Sequence, residues 1–279
     1  VRYVSFEKAG GVGLAVQRGD DWFDLGGGDL LSRLQSDPQS LRRDAGEGTK
    51  VDFASLKLLP PLPRPPKIIC VGLNYADHAA ESPYKDLPTY PALFGRFSTS
   101  LVAAGEPILR PIISKELDFE GELVAVIGKR ARHVSKADAL DHVAGYSIFN
   151  EASIRDYQFK SPQWTVGKNF DDTGAFGPIF VTADELPAGG NGLKIETRLN
   201  GEVVQSGNTK DLIFPVADLV SIISEAMTLE PGDVIVTGTP AGVGFARKPQ
   251  LFMKAGDVCE VEIEKIGVLR NPIRDETGA

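Results

Sequence analysis

The stretch LDFEGELVAVIG, residues 117–128, sets Asp118, Glu120 and Glu122 at every second position and follows them with the unbroken apolar run Val124, Ala125, Val126, Ile127. A strand alternates faces with period two, so the three carboxylates share one face while Phe119, Gly121 and Leu123 take the other. A solvated acidic face is the common fate of such residues. The apolar run argues against it, because four apolar residues in succession suit a strand covered on both sides. Carboxylates at the mouth of a buried strand need a partner, which is Arg, Lys or a divalent cation. The spacing makes a cation the working idea.

The 279-residue chain, with 24% charged and 42% hydrophobic residues, has the composition of an ordinary folded protein large enough for a sizeable core. No apolar run approaches the roughly 20 residues of a membrane span, and VRYVSFEKAGG at the start lacks the apolar core of a secretory signal. The net charge of -8, with no basic tract, speaks against nucleic acid as a partner. Cys70 and Cys259 both lie in apolar segments and read as reduced core thiols, so a cytoplasmic location is expected.

Short strands around Tyr3–Phe6 and Gly13–Gln17 and a short helix near Leu30 read as a small N-terminal α/β module. LLPPLPRPPKI, residues 58–68, is too rich in proline for a helix or central strand and reads as an extended connector. We therefore expect a module over residues 1–62 and a body over 63–279. In the body, IICVG and GDVIVTG read as buried strands, and Ser135 with Asp138 as a capping box opening a helix to about Val143. Asn200-Gly201 reads as a hairpin turn and Pro215–Met227 as an amphipathic helix. Strands outnumber helices without a regular βαβ rhythm, which predicts an α+β fold built on a mixed, curled sheet.

Four constellations carry possible chemistry. Glu120 and Glu122 at i and i+2 reach a common ion of the oxygen-preferring kind, with Glu151 in YSIFNEASIRDYQ as a third candidate. His78 and Glu81 in YADHAAE are three apart, so on a helical turn the carboxylate orients the imidazole as a general base; a solvated surface pair is the bland alternative. Lys168 lies in the loop WTVGKNFDDTGAFGP, where a long cation either points inward or faces water. TGTPAGVG, residues 237–244, follows a strand and either offers backbone N–H groups and a hydroxyl to anions or is a plain tight turn; no P-loop lysine follows.

Taken in order, GLNYADHAAE, LDFEGELVAVIGK, GYSIFNEASIRDYQ, WTVGKNFDDTGAFGP and LEPGDVIVTGTPAGVG resemble the fumarylacetoacetate hydrolase family across roughly residues 66–272. The resemblance implies a β-roll catalytic domain and Mg²⁺ or Mn²⁺, with Ca²⁺ admissible in crystals, held by Glu120, Glu122 and Glu151. It implies His78 and Glu81 as a catalytic dyad on a lid, here the stretch 74–91, and Gln158, Lys168 and Thr239 as substrate contacts, with Lys168 also catalytic. Asp118 matches the motif without being a direct ligand. Three positions depart from the family pattern: Glu151 stands where Asp is more usual, Leu73 where many relatives carry Arg, and Arg96 where many carry Lys.

The resemblance implies a catabolic, metal-dependent hydrolase that cleaves a carbon–carbon bond in a 2,4-dioxo acid such as an acylpyruvate, working as a homodimer. Isomerisation, decarboxylation or hydration of a related 2-oxo acid uses the same cradle, since all pass through an enolate. A noncatalytic module with a structural Ca²⁺ is the alternative of a different class. Convergence of His78, Glu81 and Lys168 on the ion site separates the two.

Overall fold

Every residue of the strand Gly121–Ile127 is buried, and Leu123 to Ile127 have no exposed surface at all. Burial of each Val, Leu or Ile side chain contributes about 1.5–3 kcal/mol, which is enough to anchor a strand whose beginning carries costly carboxylates. A computed structural model describes residues 1–43, 47–81 and 87–277 of the chain. In it Gly121–Ile127 lies between Val143–Glu151 and Val234–Val236, antiparallel to both, with a register shift at Val126/Ile127.

From this centre a twelve-stranded mixed sheet extends both ways. On one side Ile68–Gly72 runs parallel to Val234–Val236, and Ala92–Gly95 forms the edge. On the other, Ile179–Thr182 pairs with Val143–Glu151, and the N-terminal strands Arg2–Lys8, Gly11–Arg18, Asp21–Asp24 and Thr49–Val51 continue the same sheet. A second, five-stranded sheet runs in the order Glu202–Asn208, Lys194–Leu199, Val258–Ile263, Gly267–Asp275, Ile108–Arg110. The two sheets meet closely at Gly121, where a Cβ would lie 2.4 Å from Thr197 Oγ1 and 2.9 Å from Val261 Cγ1. Together with the helix Val216–Ala226, which buries Val216, Leu219, Val220 and Ile223 in the main core, they make the α+β architecture expected.

Local signals fare well. Asn200 and Gly201 have φ of 53° and 84°, the pair of positive values that a two-residue hairpin turn requires, and they join Lys194–Leu199 to Glu202–Asn208. The Ser135–Asp138 interaction forms, with the two side chains 2.7 Å apart, but it opens only a 3₁₀ turn at Ala139–His142. The helix stops because Val143 is already paired with Ile127.

The strand of residues 117–128 is also not continuous. Leu117–Asp118 pairs with Ser153–Ile154 in a small separate ladder, and Phe119–Glu120 crosses from it to the main sheet. Of the stretch 74–91 expected to form a lid, residues 82–86 lie outside the described residues. Its root is tied down, since buried Asn74 donates to the carbonyls of Phe214 and Thr237 and accepts from the Phe214 N–H.

Candidate active site

Backbone pairing brings the acidic residues together. The N–H of Glu151 donates to the carbonyl of Glu120 at 2.8 Å, and the N–H of Glu120 to Asn150 Oδ1 at 3.0 Å. The main-sheet register then sets Glu122 opposite Phe149, two residues away. Carboxylate oxygens of Glu120, Glu122 and Glu151 consequently lie within 4.8 Å of one another, all three side chains buried.

Three buried cations surround them. Lys168 Nζ bridges Glu120 Oε2, at 2.9 Å, and Glu151 Oε2. Arg155 forms ion pairs with Asp118, through Nε at 2.8 Å, and with Glu120, through Nη2 at 2.7 Å. Arg96 Nη1 lies 2.7 Å from Glu151 Oε1. Among the described residues no cationic side chain forms an ion pair with Glu122, which accepts a hydrogen bond from the Gly238 N–H.

The titration behaviour follows from this pairing. Burial, then repulsion by Glu151 and Glu120, pushes Glu122 well above the usual carboxylate range. Burial likewise raises Glu151 to about 7, against the pull of Lys168 and Arg96. Glu120 suffers the same burial, yet Lys168 and Arg155 hold it below the usual range.

This donor set fits a divalent cation. Oxygen-only ligands suit Mg²⁺ or Mn²⁺, and Glu122 in particular forms no ion pair among the described residues. The four buried carboxylates of Asp118, Glu120, Glu122 and Glu151 outnumber the cations of Arg96, Arg155 and Lys168 by one. A dication would turn that excess into a single positive charge, ready for an anion.

The glycine-rich turn serves the chain's own acids rather than an external one. Gly238 N–H donates to Glu122, Gly242 N–H to both oxygens of Glu81 at 2.9 and 3.1 Å, and Gly244 and Phe245 N–H to Asp118 at 2.7 and 2.9 Å. Glu81, held there, lies 3.3 Å from His78 Nδ1 on the short helix Ala76–Glu81. A cavity open to solvent gathers His78, Glu81 and the three glutamates with Gln158, Lys168 and Thr239. Gln158 Oε1 accepts from Arg155 Nη1 at 2.8 Å, and the Thr239 hydroxyl donates to the Gly121 carbonyl at 3.0 Å and accepts from Gln205 at 2.8 Å. All eight residues singled out in the sequence thus meet at one site.

Sequence reasoning assigned no role to Arg155 and treated Arg96 only as a departure from a family pattern. The available signal was the buried acidity itself, which calls for cations from somewhere else in the chain.

The fold and this acid-lined cavity define a family. The model of the fumarylacetoacetate (FAA) hydrolase C-terminal domain matches residues 67–274. The rat protein named oxaloacetate tautomerase Fahd2a, mitochondrial, is 44% identical over 221 residues, 79% of this chain and 70% of its own length. Among solved structures, the fumarylacetoacetate hydrolase of Exiguobacterium antarcticum superposes with a TM-score of 0.88 at 36% identity, over 99% of both chains. Maleylpyruvate hydrolase from Sphingobium sp. SYK-6, in complex with manganese(II) and pyruvate, gives 0.82 at 27% identity over 99% of this chain and all of its own. The chain belongs to the fumarylacetoacetate hydrolase family and is an enzyme of that superfamily.

Proposed function

We propose that this enzyme moves a proton between carbon 3 and the carbonyl oxygen of a 2-oxo acid, a keto–enol tautomerisation assisted by Mg²⁺ or Mn²⁺ at Glu120, Glu122 and Glu151. The observation that carries it is the placing of the His78–Glu81 pair and the acidic cluster on one cavity. A bound dication supplies Lewis acidity and positive charge where the enolate oxygen develops.

With Nδ1–H donated to Glu81, His78 keeps its Nε2 lone pair for the cavity. It takes the proton from carbon 3, the C–H electron pair becomes the C2=C3 bond, and the carbonyl π pair moves onto oxygen. The proton then returns from His78 to that oxygen. Lys168, Gln158 and Thr239 orient the substrate. Lys168 also offsets the developing charge at the cluster.

The tautomerase name of the rat relative supports this choice. Hydrolysis of a carbon–carbon bond in a 2,4-dioxo acid is the second reading. It is favoured by the likeness to maleylpyruvate hydrolase and by the cavity's opening to solvent, with His78 then activating water. A noncatalytic Ca²⁺ module leaves the convergence of His78, Glu81 and Lys168 without a purpose.

We also propose a module over residues 1–62 ahead of the catalytic body, a homodimer, and a cytoplasmic location. The last is supported by the two buried, unpaired thiols of Cys70 and Cys259. No described helix is long and apolar enough to cross a membrane.

The deciding experiment supplies 2-oxo acids as their enols with Mg²⁺ and follows loss of enol absorbance, alongside product analysis of 2,4-dioxo acids. His78→Asn should slow enol conversion by roughly 10²–10⁴-fold. Cleavage of dioxo acids without enol conversion would replace tautomerisation by hydrolysis.

A further inference from the structure

Gln205, on the strand Glu202–Asn208 of the second sheet, is buried and reaches both the backbone of the acidic cluster and the glycine-rich turn. Its Oε1 accepts from the Gly121 N–H at 3.0 Å and from the Thr197 hydroxyl at 2.8 Å. Its Nε2 donates to Thr239 Oγ1 at 2.8 Å and to the Pro240 carbonyl at 2.9 Å. A side-chain amide offers two acceptor sites and two N–H groups, and all four are used. The partners also fix which end is which: turned over, the amide would set its NH₂ against the Gly121 N–H and its oxygen against the Pro240 carbonyl. Strand and turn are in close contact besides. A Cβ on Gly207 would lie 2.7 Å from Pro240 Cβ, and Arg247 donates to the carbonyls of Gly242, at 3.0 Å, and Val204.

Thr239 lines the cavity, and its hydroxyl has one proton and two lone pairs. Gln205 takes one lone pair. An N–H behind the oxygen also bars the hydroxyl from donating in that direction, so its proton is confined to the arc between the Gly121 carbonyl, 3.0 Å away, and the cavity. A carboxylate oxygen arriving in the cavity is a stronger acceptor than a peptide carbonyl and draws that proton to itself. The bond from Gln205 makes Thr239 a better donor, because linked hydrogen bonds polarise one another.

Resting on the 2-oxo acid reading proposed above, we infer that Gln205 is a positioning residue that acts through Thr239, directing its hydroxyl proton toward the carboxylate of the substrate. The second sheet thereby takes part in orienting the substrate without touching it. Gln205→Glu isolates this role. The new side chain keeps an oxygen for the Gly121 N–H and Thr197, but replaces the donor behind Thr239 by an acceptor, which pulls the proton away from the cavity. Thr239→Val removes the proton altogether.

Oxamate, an unreactive mimic of a 2-oxo acid, tests this without turnover. It is titrated by calorimetry into protein saturated with Mg²⁺, and Mn²⁺ affinity is measured separately by electron paramagnetic resonance. Gln205→Glu and Thr239→Val should each weaken oxamate by about 10–100-fold. The double variant should bind it no worse than Thr239→Val alone, a coupling that neither general loosening of the fold nor repulsion by the new charge produces. Gln205→Met, which removes the donor without adding charge, should show the same pattern and serves if the Glu variant does not fold. A readout that needs no change at Gln205 is its side-chain N–H resonances, one of which should move on oxamate binding in the parent and stay in Thr239→Val. Additive losses, or oxamate affinity unchanged by both Gln205 variants, overturn the positioning role while leaving the 2-oxo acid site standing. A fall in Mn²⁺ affinity with oxamate affinity unchanged also overturns it, assigning Gln205 to the Gly121 backbone alone. Failure of oxamate to bind the unmodified enzyme, with Mn²⁺ binding intact, overturns the 2-oxo acid reading and this inference with it.

Discussion

Arg96 and Glu151 meet in a fully buried contact of 2.7 Å, on the side of Glu151 away from Lys168. The guanidinium is itself fixed by Thr173 Oγ1 at 2.7 Å, Ser100 Oγ at 3.2 Å and the Ala152 carbonyl at 3.3 Å. Oε1 of Glu151 is thereby taken, and Oε2 is the oxygen turned to the cluster. Glu is one methylene longer than the Asp usual at this position, and the arginine steadies that extra length.

Arg96→Lys keeps the charge but loses the planar fork that holds Glu151, Thr173 and Ala152 together. Its expected effect is a fall in Mn²⁺ affinity of about 10–100-fold, the usual consequence of removing a partner of a metal ligand. Titration followed by electron paramagnetic resonance measures it. Unchanged affinity would show that Glu151 positions itself.

Glu122→Gln should separate metal binding from folding. Burial and repulsion by Glu151 and Glu120 make the ionised carboxylate costly, and a neutral amide still accepts from the Gly238 N–H through its oxygen. In chelator-treated protein the variant should melt at a higher temperature than the parent. Added Mg²⁺ should raise the melting temperature of the parent and leave the variant unmoved. A variant that still responds to Mg²⁺ would remove Glu122 from the ligand set.

Protons and metal should compete. Glu151 titrates at about 7 in the metal-free fold, above the usual value of a carboxylate in the unfolded chain. Between those two values the folded state holds more protons than the unfolded one, so the contribution of Glu151 to metal-free stability falls as pH rises through this window. Mg²⁺ favours the ionised form and reverses the penalty. The Mg²⁺-induced rise in melting temperature should therefore be larger at pH 8 than at pH 5.5, read by differential scanning fluorimetry. An equal rise at both values would show that no carboxylate is deprotonated on binding.

What was legible in the sequence was what is local. The i, i+2 spacing of Glu120 and Glu122 survives because both side chains leave the chain on one side near the start of a single strand, and Asn200-Gly201 needs only its own two dihedrals. The break at Phe119 was not legible, since period-two spacing continues across it. It arises from the pairing of Leu117–Asp118 with Ser153–Ile154, some 36 residues on. Arg96 and Arg155 were hidden for the same reason: a cation buried beside an acid 55 or 37 residues away leaves no local pattern. The glycine-rich turn donates its N–H groups to the chain's own acids. Which anions receive them depends on the tertiary fold, which turns Asp118, Glu122 and Glu81 toward it.

Glu81 gives the sharpest test of the dyad, because it has two separable jobs. It receives the Gly242 N–H on the glycine-rich turn and holds His78 Nδ1 at 3.3 Å. Glu81→Gln retains an oxygen for Gly242 and for the imidazole, yet loses the charge that stabilises a protonated His78. Glu81→Ala loses both contacts. If His78 acts as the base, Glu81→Gln should lower kcat by about 10–100-fold with KM nearly unchanged, since charge on the imidazole develops only as the proton is transferred. Glu81→Ala should lower kcat further and raise KM as well, because the turn carrying Thr239 loses an anchor. Equal kcat in Glu81→Gln and the parent, with a shifted KM, would assign Glu81 to the turn alone and leave His78 without an orienting carboxylate.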